Sequence, residues 1–513
     1  MKSMRMLLVR ACRAALPATL FCAFAASGWA QAPGAAESKA VPLSKVERKK
    51  RAPVSTEVLR VKLPKPVEAT LSNGLTVLVL EDHRFPTVSV QLDIAGAGAL
   101  QEPAELRGLA GVTAQMLREG TKTRSSKQVA EDVDKLGATL SASAGFGAGS
   151  TVLAASGLSD NLEEWFALLT DVLLNPTFPT DELAKLKVRR KAALLQQRAQ
   201  PAFLADERFS RAVYGTHPAA AVSATPESLD AITPEALSQW HRERYAPQNA
   251  ILGIAGDVHT ADLIPKLEKW LAGWKKTDAK EQWPGSPAPA SAKKIYLVDR
   301  PNSVQTTLAM GNIAIDRRDP DYVPMVVWDK VLGEGPGSRL FLNLREEKGY
   351  TYGVYSSFTA RKYAGPWRAG GDLRTEVTES AMTEFVKELG RIREQKVPQA
   401  ELEEAKRAVV SSFALSLEQP AELLGYAITR KIFGFPEDYW DTYPAKIMAT
   451  TADDVQRVAG KYVNPETMQV VAVGDAARIK PVLEKFGPVE VYDTQGRPAA
   501  KPAAAPSPGG RER

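Results

Sequence analysis

The sequence contains very few residues that can bind a metal ion or form a disulfide. Its 513 residues include two cysteines, Cys12 and Cys22, both within the first 30 positions. Beyond them the chain has no thiol, which excludes disulfides and cysteine nucleophiles there. The four histidines are His83, His217, His241 and His259. They show no metal-ligand spacing, so we expect surface or turn residues, with His217 in a Gly-Thr-His-Pro turn and His241 on the polar side of a helix.

Long apolar runs are also missing. The run from Ala14 to Ala26 contains Pro17 and is shorter than the roughly 20 residues that a membrane-spanning helix needs. It follows four cations and precedes small residues that end at Ala30, a pattern typical of a secretory signal. Lipidation at Cys22 is disfavoured by the bulky Phe21 before it. We therefore expect a signal peptide over residues 1–30, cleavage near Ala30, a periplasmic mature protein and no transmembrane segment in it.

A strong excess of charge is absent as well. The net charge of +6 includes the four signal cations and falls to +2 without them. A nearly balanced surface gives no electrostatic basis for binding nucleic acid.

The length exceeds what one hydrophobic core supports and suits two domains of roughly 200 residues. A Pro- and Ala-rich stretch, WPGSPAPASAKK, marks the boundary between them. The expected order is a signal peptide (1–30), a flexible lead-in (31–64), an N-terminal domain (65–274), a linker (275–293), a C-terminal domain (294–492) and a disordered tail (493–513).

The two expected domains repeat each other. A Tyr-x-Pro or Tyr-x-x-Pro turn precedes an apolar strand that ends at Gly256-Asp257 in the first domain and at Gly474-Asp475 in the second. Several such segments recur at a nearly constant offset, which indicates an internal duplication. Strands grouped with helices, without regular alternation, predict an α+β fold in which each half is a mainly antiparallel sheet with helices on one face.

The segment Gly108 to Thr121, GLAGVTAQMLREGT, carries the most specific pattern in the chain. Its apolar spacing alone predicts an ordinary amphipathic helix facing a core. The segment also resembles the H-x-x-E-H signature of the pitrilysin/insulinase family, the inverted zincins, in the frame G-L-A-H-x-x-E-H-M-L-x-x-G-T. Gly111 and Gln115 stand at the two histidine positions, and Ala114 stands at the position of the catalytic glutamate.

Other landmarks extend this resemblance over roughly Val67 to Val489, including Asn73-Gly74-Leu75 and the Tyr214-Gly215-Thr216-His217-Pro218 turn. The family's third zinc ligand, a glutamate, corresponds to a position near Ala192. No acidic residue occurs between Leu183 and Ala205. Glycine and alanine offer no donor atom and a neutral amide is a poor zinc ligand, so the resemblance implies that this chain binds no catalytic zinc.

One part of the family's substrate machinery is present. Arg345 and Tyr352, in LREEKGYTYGV, resemble the family's arginine and tyrosine, seven residues apart, that reach the substrate beside the zinc. A guanidinium can orient a peptide carbonyl and a phenol can donate to a developing oxyanion. Without the resemblance, the pattern favours a purely structural role, as a charged helix end followed by an aromatic strand.

The resemblance implies two domains that face each other like half of a clam-shell chamber. It further implies a periplasmic, non-metallic subunit of a heterodimeric zinc peptidase, whose partner bears the H-x-x-E-H motif and the zinc while this chain provides Arg345 and Tyr352 for a peptide substrate. Two alternatives remain open: a stand-alone peptide-binding protein, and a scaffold with no proteolytic role.

Overall fold

Two six-stranded sheets organise residues 57–499, which are the residues that this computed structural model describes. The first sheet has the order β1-β2-β6-β3-β5-β4. Its strands are β1 (Val67–Thr70), β2 (Thr76–Glu81), β3 (Thr87–Ala95), β4 (Thr139–Ser143), β5 (Ser150–Leu158) and β6 (Ala250–Gly256). Only β2 and β6 run parallel in it. The expected signal peptide lies outside the described residues.

The second sheet repeats this plan in the order β12-β7-β11-β8-β10-β9. Its strands are β7 (Lys294–Asp299), β8 (Gln305–Ile315), β9 (Thr351–Ala360), β10 (Ala364–Arg374), β11 (Gln469–Gly474) and β12 (Val489–Tyr492). In each half one late strand lies inside the sheet, parallel to an early strand: β6 lies beside β2 and β11 lies beside β7. The halves differ at one edge, because β1 precedes the strand that it pairs with whereas β12 comes at the end of its half.

Helices connect the strands in the same sequence in both halves. The first half contains α1 (Leu109–Met116), α2 (Ser126–Lys135), α3 (Leu162–Leu174), α4 (Thr180–Arg198), α5 (Pro201–Tyr214), α6 (Pro226–Ala231), α7 (Pro234–Arg244) and α8 (Thr260–Trp270). The second contains α9 (Tyr322–Leu332), α10 (Arg339–Phe341), α11 (Thr378–Glu394), α12 (Gln399–Ser416), α13 (Pro420–Phe433), α14 (Tyr439–Ala449), α15 (Ala452–Tyr462) and α16 (Ala476–Leu483). A π-helical turn, Leu342–Glu347, follows α10.

Each half has its own core between its sheet and its helices, and the two halves also exchange a helix. Helix α5 of the first half packs on the second sheet across β8 and β11. Helix α13 of the second half packs on the first sheet across β2 and β6. Gly253 in β6 makes room for α13, since a Cβ there would lie 2.8 Å from side-chain carbons of Leu424 and Ile428. This exchange covers part of the second face of each sheet and joins the halves through apolar contacts.

The predicted α+β fold with two similar halves is confirmed, with a helix on the second face of each sheet as an addition that the sequence did not indicate. The stretch predicted as a linker contacts both halves: Gln101 Nε2 donates to the Gln282 carbonyl and the Ala364 N–H donates to Ser286 Oγ. Residues 493–499 form a hydrogen-bonded turn in which Asp493 accepts from Arg497. Across residues 57–499 no helix combines the length and the apolar character needed to cross a bilayer.

Candidate functional site

Helix α1 contains the degenerate motif, and its N-cap position has a backbone conformation that favours glycine. Gly108 caps it with φ 98°, a left-handed conformation. The carboxylate of Glu102 accepts hydrogen bonds from the backbone N–H groups of Gly108 (2.8 Å) and Ala110 (2.7 Å) and so satisfies donors that a helix start leaves free. Burial raises the pKa of Glu102 to about 7, although these two bonds and the nearby Arg190 act in the opposite direction.

Nearly all of α1 is buried. The predicted apolar face is confirmed at Leu109, Val112 and Met116. Gly111 and Ala114 are buried as well, and Gln115 alone in the helix is exposed. The helix therefore keeps its place in the core, while the side chains that would bind a metal are gone.

Arg190 of α4 contacts the two residues that stand at the histidine positions of the motif. Its Nη2 donates to the carbonyl of Gly111 (3.0 Å) and its Nε donates to Oε1 of Gln115 (3.1 Å). A single guanidinium thus holds both residues at the former histidine positions, and it comes from the part of α4 where the third ligand would lie. Burial lowers the pKa of the guanidinium, with Glu102 opposing the shift, and an arginine remains charged in any case. A fixed positive charge here repels a metal cation.

A cleft of about 450 Å³ opens beside this cation. Its polar lining is Gln115, Arg189, Arg190, Gln197 and Ser223, and its apolar lining includes Phe146 and Leu194. No carboxylate lines it among the described residues. Glu119 lies in the adjoining cleft, where its carboxylate is 3.8 Å from the guanidinium of Arg189. The cleft is therefore positive and suits a carboxylate or the carbonyls of an extended peptide.

The second half contains a counterpart of this cleft with different chemistry. It has a volume of about 720 Å³ and lies between α9, α12 and β9. Val409 of α12 lines it at the place in the repeat that Arg190 of α4 occupies in the first half, so the guanidinium has no equivalent there. Burial raises the pKa of Asp329, on its α9 wall, to about 7. Aromatic side chains such as Tyr322, Phe413 and Trp440 dominate the rest of the lining.

Arg345 lies on the π-helical turn, a rare conformation that is frequent at functional sites. Its Nη1 donates to Glu346 Oε1 (2.6 Å) and its guanidinium lies 4.7 Å from the ring centroid of Phe341. The side chain is 40% exposed, so these contacts orient it without burying it.

Tyr352 projects into solvent from β9, the edge strand of the second sheet. It is 92% exposed, and no other residue in the range 57–499 hydrogen-bonds its hydroxyl. A tyrosine that contributes nothing to a core is available for a ligand or a partner. The structure gives no contact that joins Arg345 or Tyr352 to Gly111, Ala114 or Gln115, which belong to the other sheet's half.

Of the four histidines, His241 alone departs from its predicted environment. His217 confirms the predicted turn, because its Nδ1 accepts from the Ala219 N–H (3.1 Å). The prediction for His241 is wrong: it packs inward, its Nε2 lies 2.7 Å from the Leu173 carbonyl, and burial lowers its pKa to about 4. His83 and His259 are exposed as expected, but their rings lie 4.8 Å apart.

The chain is similar to proteins of a peptidase family. The model of the insulinase family, peptidase family M16, matches residues 76–226, and the model of the peptidase M16 inactive domain matches residues 231–409. The uncharacterized zinc protease YmxG of Bacillus subtilis is 26% identical over 352 residues, which cover 68% of this chain and 84% of that protein. The non-peptidase homolog YmxG of Helicobacter pylori is 25% identical over 383 residues, 74% of this chain and 87% of that protein.

Among solved structures, the peptidase M16 inactive domain from Pseudomonas fluorescens superposes with a TM-score of 0.75 at 29% identity. The match covers 80% of this chain and 98% of that one. The relatives therefore include proteins described as zinc proteases and proteins described as inactive.

Proposed function

Because the chain belongs to the insulinase family of peptidases, peptidase family M16, we propose that it is the non-zinc subunit of a periplasmic heterodimeric zinc peptidase. In this proposal a homologous partner bears the H-x-x-E-H motif and the zinc. This chain provides half of the chamber and the residues that orient a peptide substrate. The single observation that carries the proposal is a contrast between two sets of residues. Arg190 holds the residues at the former histidine positions, whereas the side chains of Arg345 and Tyr352 are exposed.

The former metal site supports the first half of this contrast. Gly111 and Ala114 have no donor atoms, and the only remaining one, Gln115 Oε1, already accepts from Arg190. Zinc would have to displace a charge-assisted hydrogen bond and stand beside a like charge. Hydrolysis of a peptide bond by this family's chemistry needs a metal-bound water and a base, and α1 supplies neither.

The second half of the chain supports a role in substrate positioning. A guanidinium already oriented by Glu346 and Phe341 can bind a peptide carbonyl or terminal carboxylate. The hydroxyl of Tyr352 is free to donate to the oxyanion that develops at a scissile carbonyl. Such donors assist hydrolysis only beside a metal-activated water, which a zinc ion on the partner would supply.

Location in the periplasm rests on the N-terminal sequence pattern of cations, an apolar run and small residues up to Ala30. An exported pair would act on peptides and unfolded segments that fit the chamber. The substrate would be a peptide rather than a folded domain, since the described clefts have volumes of a few hundred Å³.

The test is peptide cleavage by three samples: this chain, a zinc-bearing homologue from the same cell, and an equimolar mixture. We expect the mixture alone to cleave an unfolded peptide efficiently, and a chelator to abolish the activity. Gel filtration of the mixture should show a complex of the two chains. Chelator-sensitive cleavage by this chain alone would contradict the proposal, as would a homologue whose activity is unchanged by its addition.

The positive cleft favours one alternative, a stand-alone peptide-binding protein. Arg189 and Arg190 line it without a carboxylate, so an acidic peptide would bind there without a partner. Fluorescence anisotropy with labelled acidic and basic peptides of equal length separates the two functions. Tight binding of the acidic peptide by the isolated chain, lost in Arg189→Ala and absent for the basic peptide, would favour this alternative over the peptidase subunit.

A further inference from the structure

The structure brings two of the four histidines together with a carboxylate, although His83 and His259 are far apart in the sequence. Glu81 ends β2 and His83 follows it in the loop. His259 is the N-cap of α8, just after β6. Because β2 and β6 are neighbouring parallel strands, with Glu81 beside Gly256, their following loops meet at one edge of the sheet. One ligand atom from each of the three side chains lies within 4.8 Å of the others.

Two of these side chains are already oriented by outer partners. Asp257 Oδ1 lies 2.7 Å from His83 Nδ1 and fixes the ring so that Nε2 faces Glu81 Oε2 at 3.7 Å. Ser159 Oγ donates to the other oxygen of Asp257 (2.8 Å). Glu81 Oε1 accepts from the Thr260 N–H at the start of α8 (2.8 Å), which leaves Oε2 directed at the histidine. Metal-binding histidines commonly hydrogen-bond a carboxylate through their other ring nitrogen, and metal-binding carboxylates commonly accept a further hydrogen bond. Asp257 provides the first contact to His83, and Thr260 provides the second to Glu81.

The third side chain is uncommitted. Within residues 57–499 the imidazole of His259 makes no hydrogen bond, and its ring is tilted 37° against that of His83. His83 and Glu81 are 44% and 38% exposed, so small side-chain rotations can draw the ligands in without moving the core. Nitrogen and oxygen ligands lie about 2.0–2.2 Å from a bound zinc ion. The ligand atoms of Glu81, His83 and His259 would therefore have to move somewhat closer together to bind one ion.

We propose that Glu81, His83 and His259 bind one divalent transition-metal ion, with Zn²⁺ as the expected occupant. Two imidazoles and a carboxylate suit zinc, and solvent supplies the fourth position at this exposed surface. Asp257 acts as a positioning residue through His83. The site shares no residue with α1 and lies on this chain itself, so it is independent of a zinc on any partner. Its expected effect is structural, because the ion would join the end of β2 to the start of α8.

Calorimetric titration of the untagged, metal-free protein with Zn²⁺ tests this site. We expect one ion per chain and a rise in melting temperature on binding. His83→Ala and His259→Ala should each weaken binding at least 100-fold, whereas Asp257→Asn should weaken it about 10–100-fold because it removes only an outer contact. His217→Ala, which removes an imidazole elsewhere in the same half, is the matched control and should bind as the wild type does.

Three outcomes would overturn the proposal: no Zn²⁺ binding by the wild type, undiminished binding in both His83→Ala and His259→Ala, or equal losses in these variants and in His217→Ala. His83 and His259 are exposed, so their metal-free alanine variants should melt near the wild-type temperature. If one histidine variant folds poorly, the other decides the question, since each removes a different ligand.

Discussion

Arg190 donates a hydrogen bond to Gln115, 75 residues earlier in the chain, and places its guanidinium where the ligands of a family zinc site would converge. The same side chain also donates to the Gly111 carbonyl. In the proposed account, a cation that the protein carries itself stands where a zinc-bearing relative would hold its metal. Helix α1 is buried in the core but has no side chains that could bind a metal ion or activate a water.

The first prediction is that α1 binds no zinc. Metal analysis should use the double variant His83→Ala/His259→Ala, so that the surface cluster does not contribute. After dialysis we expect no bound zinc, because Gly111 and Ala114 lack donors and Arg190 engages Gln115. About one retained zinc per chain in this variant would show that the site has been misread.

The second prediction concerns the stability that Arg190 provides. Arg190→Ala leaves the Gly111 carbonyl and the Gln115 amide without their partner and should lower the free energy of unfolding by about 1–3 kcal/mol in urea titrations. Arg189→Ala is the matched control, because its side chain is 57% exposed and lies 3.8 Å from Glu119. That change should cost less than about 1 kcal/mol. Equal effects of the two substitutions would contradict the assigned role of Arg190.

The third prediction is a pH dependence that arises from His241. Burial lowers its pKa from 6.5 to about 4 in the folded chain, so the unfolded chain takes up a proton first as the pH falls. The stability that the neutral form contributes is present above about pH 6.5 and is lost as the pH approaches 4. Between pH 7.5 and pH 5 this one group should remove about 2 kcal/mol from the free energy of unfolding.

His241→Gln isolates that contribution, since glutamine can still donate to the Leu173 carbonyl but does not titrate. Urea titrations of both proteins at the two pH values give the difference. All other groups titrate alike in the two proteins, so their contributions to the pH-dependent change in unfolding free energy cancel in this comparison. A wild-type loss no larger than that of the variant would mean that folding does not lower the pKa of His241.

Much of the fold follows from patterns that act locally. Alternating apolar residues account for β2 and β3, and the capping box that Ser125 forms with Gln128 begins α2. The recurrence of the Gly256-Asp257 strand end at Gly474-Asp475 correctly indicates two similar halves. These features depend on neighbouring residues and periodicity, which a sequence displays directly.

The features that the sequence did not reveal depend on contacts between distant segments. The run KLKVRRK over residues 185–191 shows that α4 is basic, but only the packing of α4 against α1 selects Arg190 rather than Arg189 for the former metal site. Similarly, Pro201 and Pro420 start equivalent helices in the two halves, but nothing local indicates that each covers the other half's sheet. The proximity of His83 and His259 needs the strand order.

A fourth prediction concerns Arg345 in the reconstituted pair. Arg345→Ala should raise KM or, if the peptide binds misaligned, lower kcat, because the role of the guanidinium is to position the substrate. The zinc occupancy of the pair should change little. The side chain is 40% exposed, so the variant should fold and assemble normally. Steady-state kinetics over a range of peptide concentrations separate KM from kcat, and unchanged values of both would remove Arg345 from the site.

The most direct test of the account is the turnover of the reconstituted pair with Tyr352→Phe, compared with Tyr355→Phe. Both tyrosines are exposed on β9, so each substitution removes one hydroxyl without disturbing a core. If Tyr352 donates to the oxyanion beside the partner's zinc, its loss should lower kcat roughly 10²- to 10³-fold, while Tyr355→Phe should have little effect. Zinc content and assembly, measured first, should match the wild type. Full activity of Tyr352→Phe in a correctly assembled, zinc-loaded pair would contradict the account and favour the scaffold alternative.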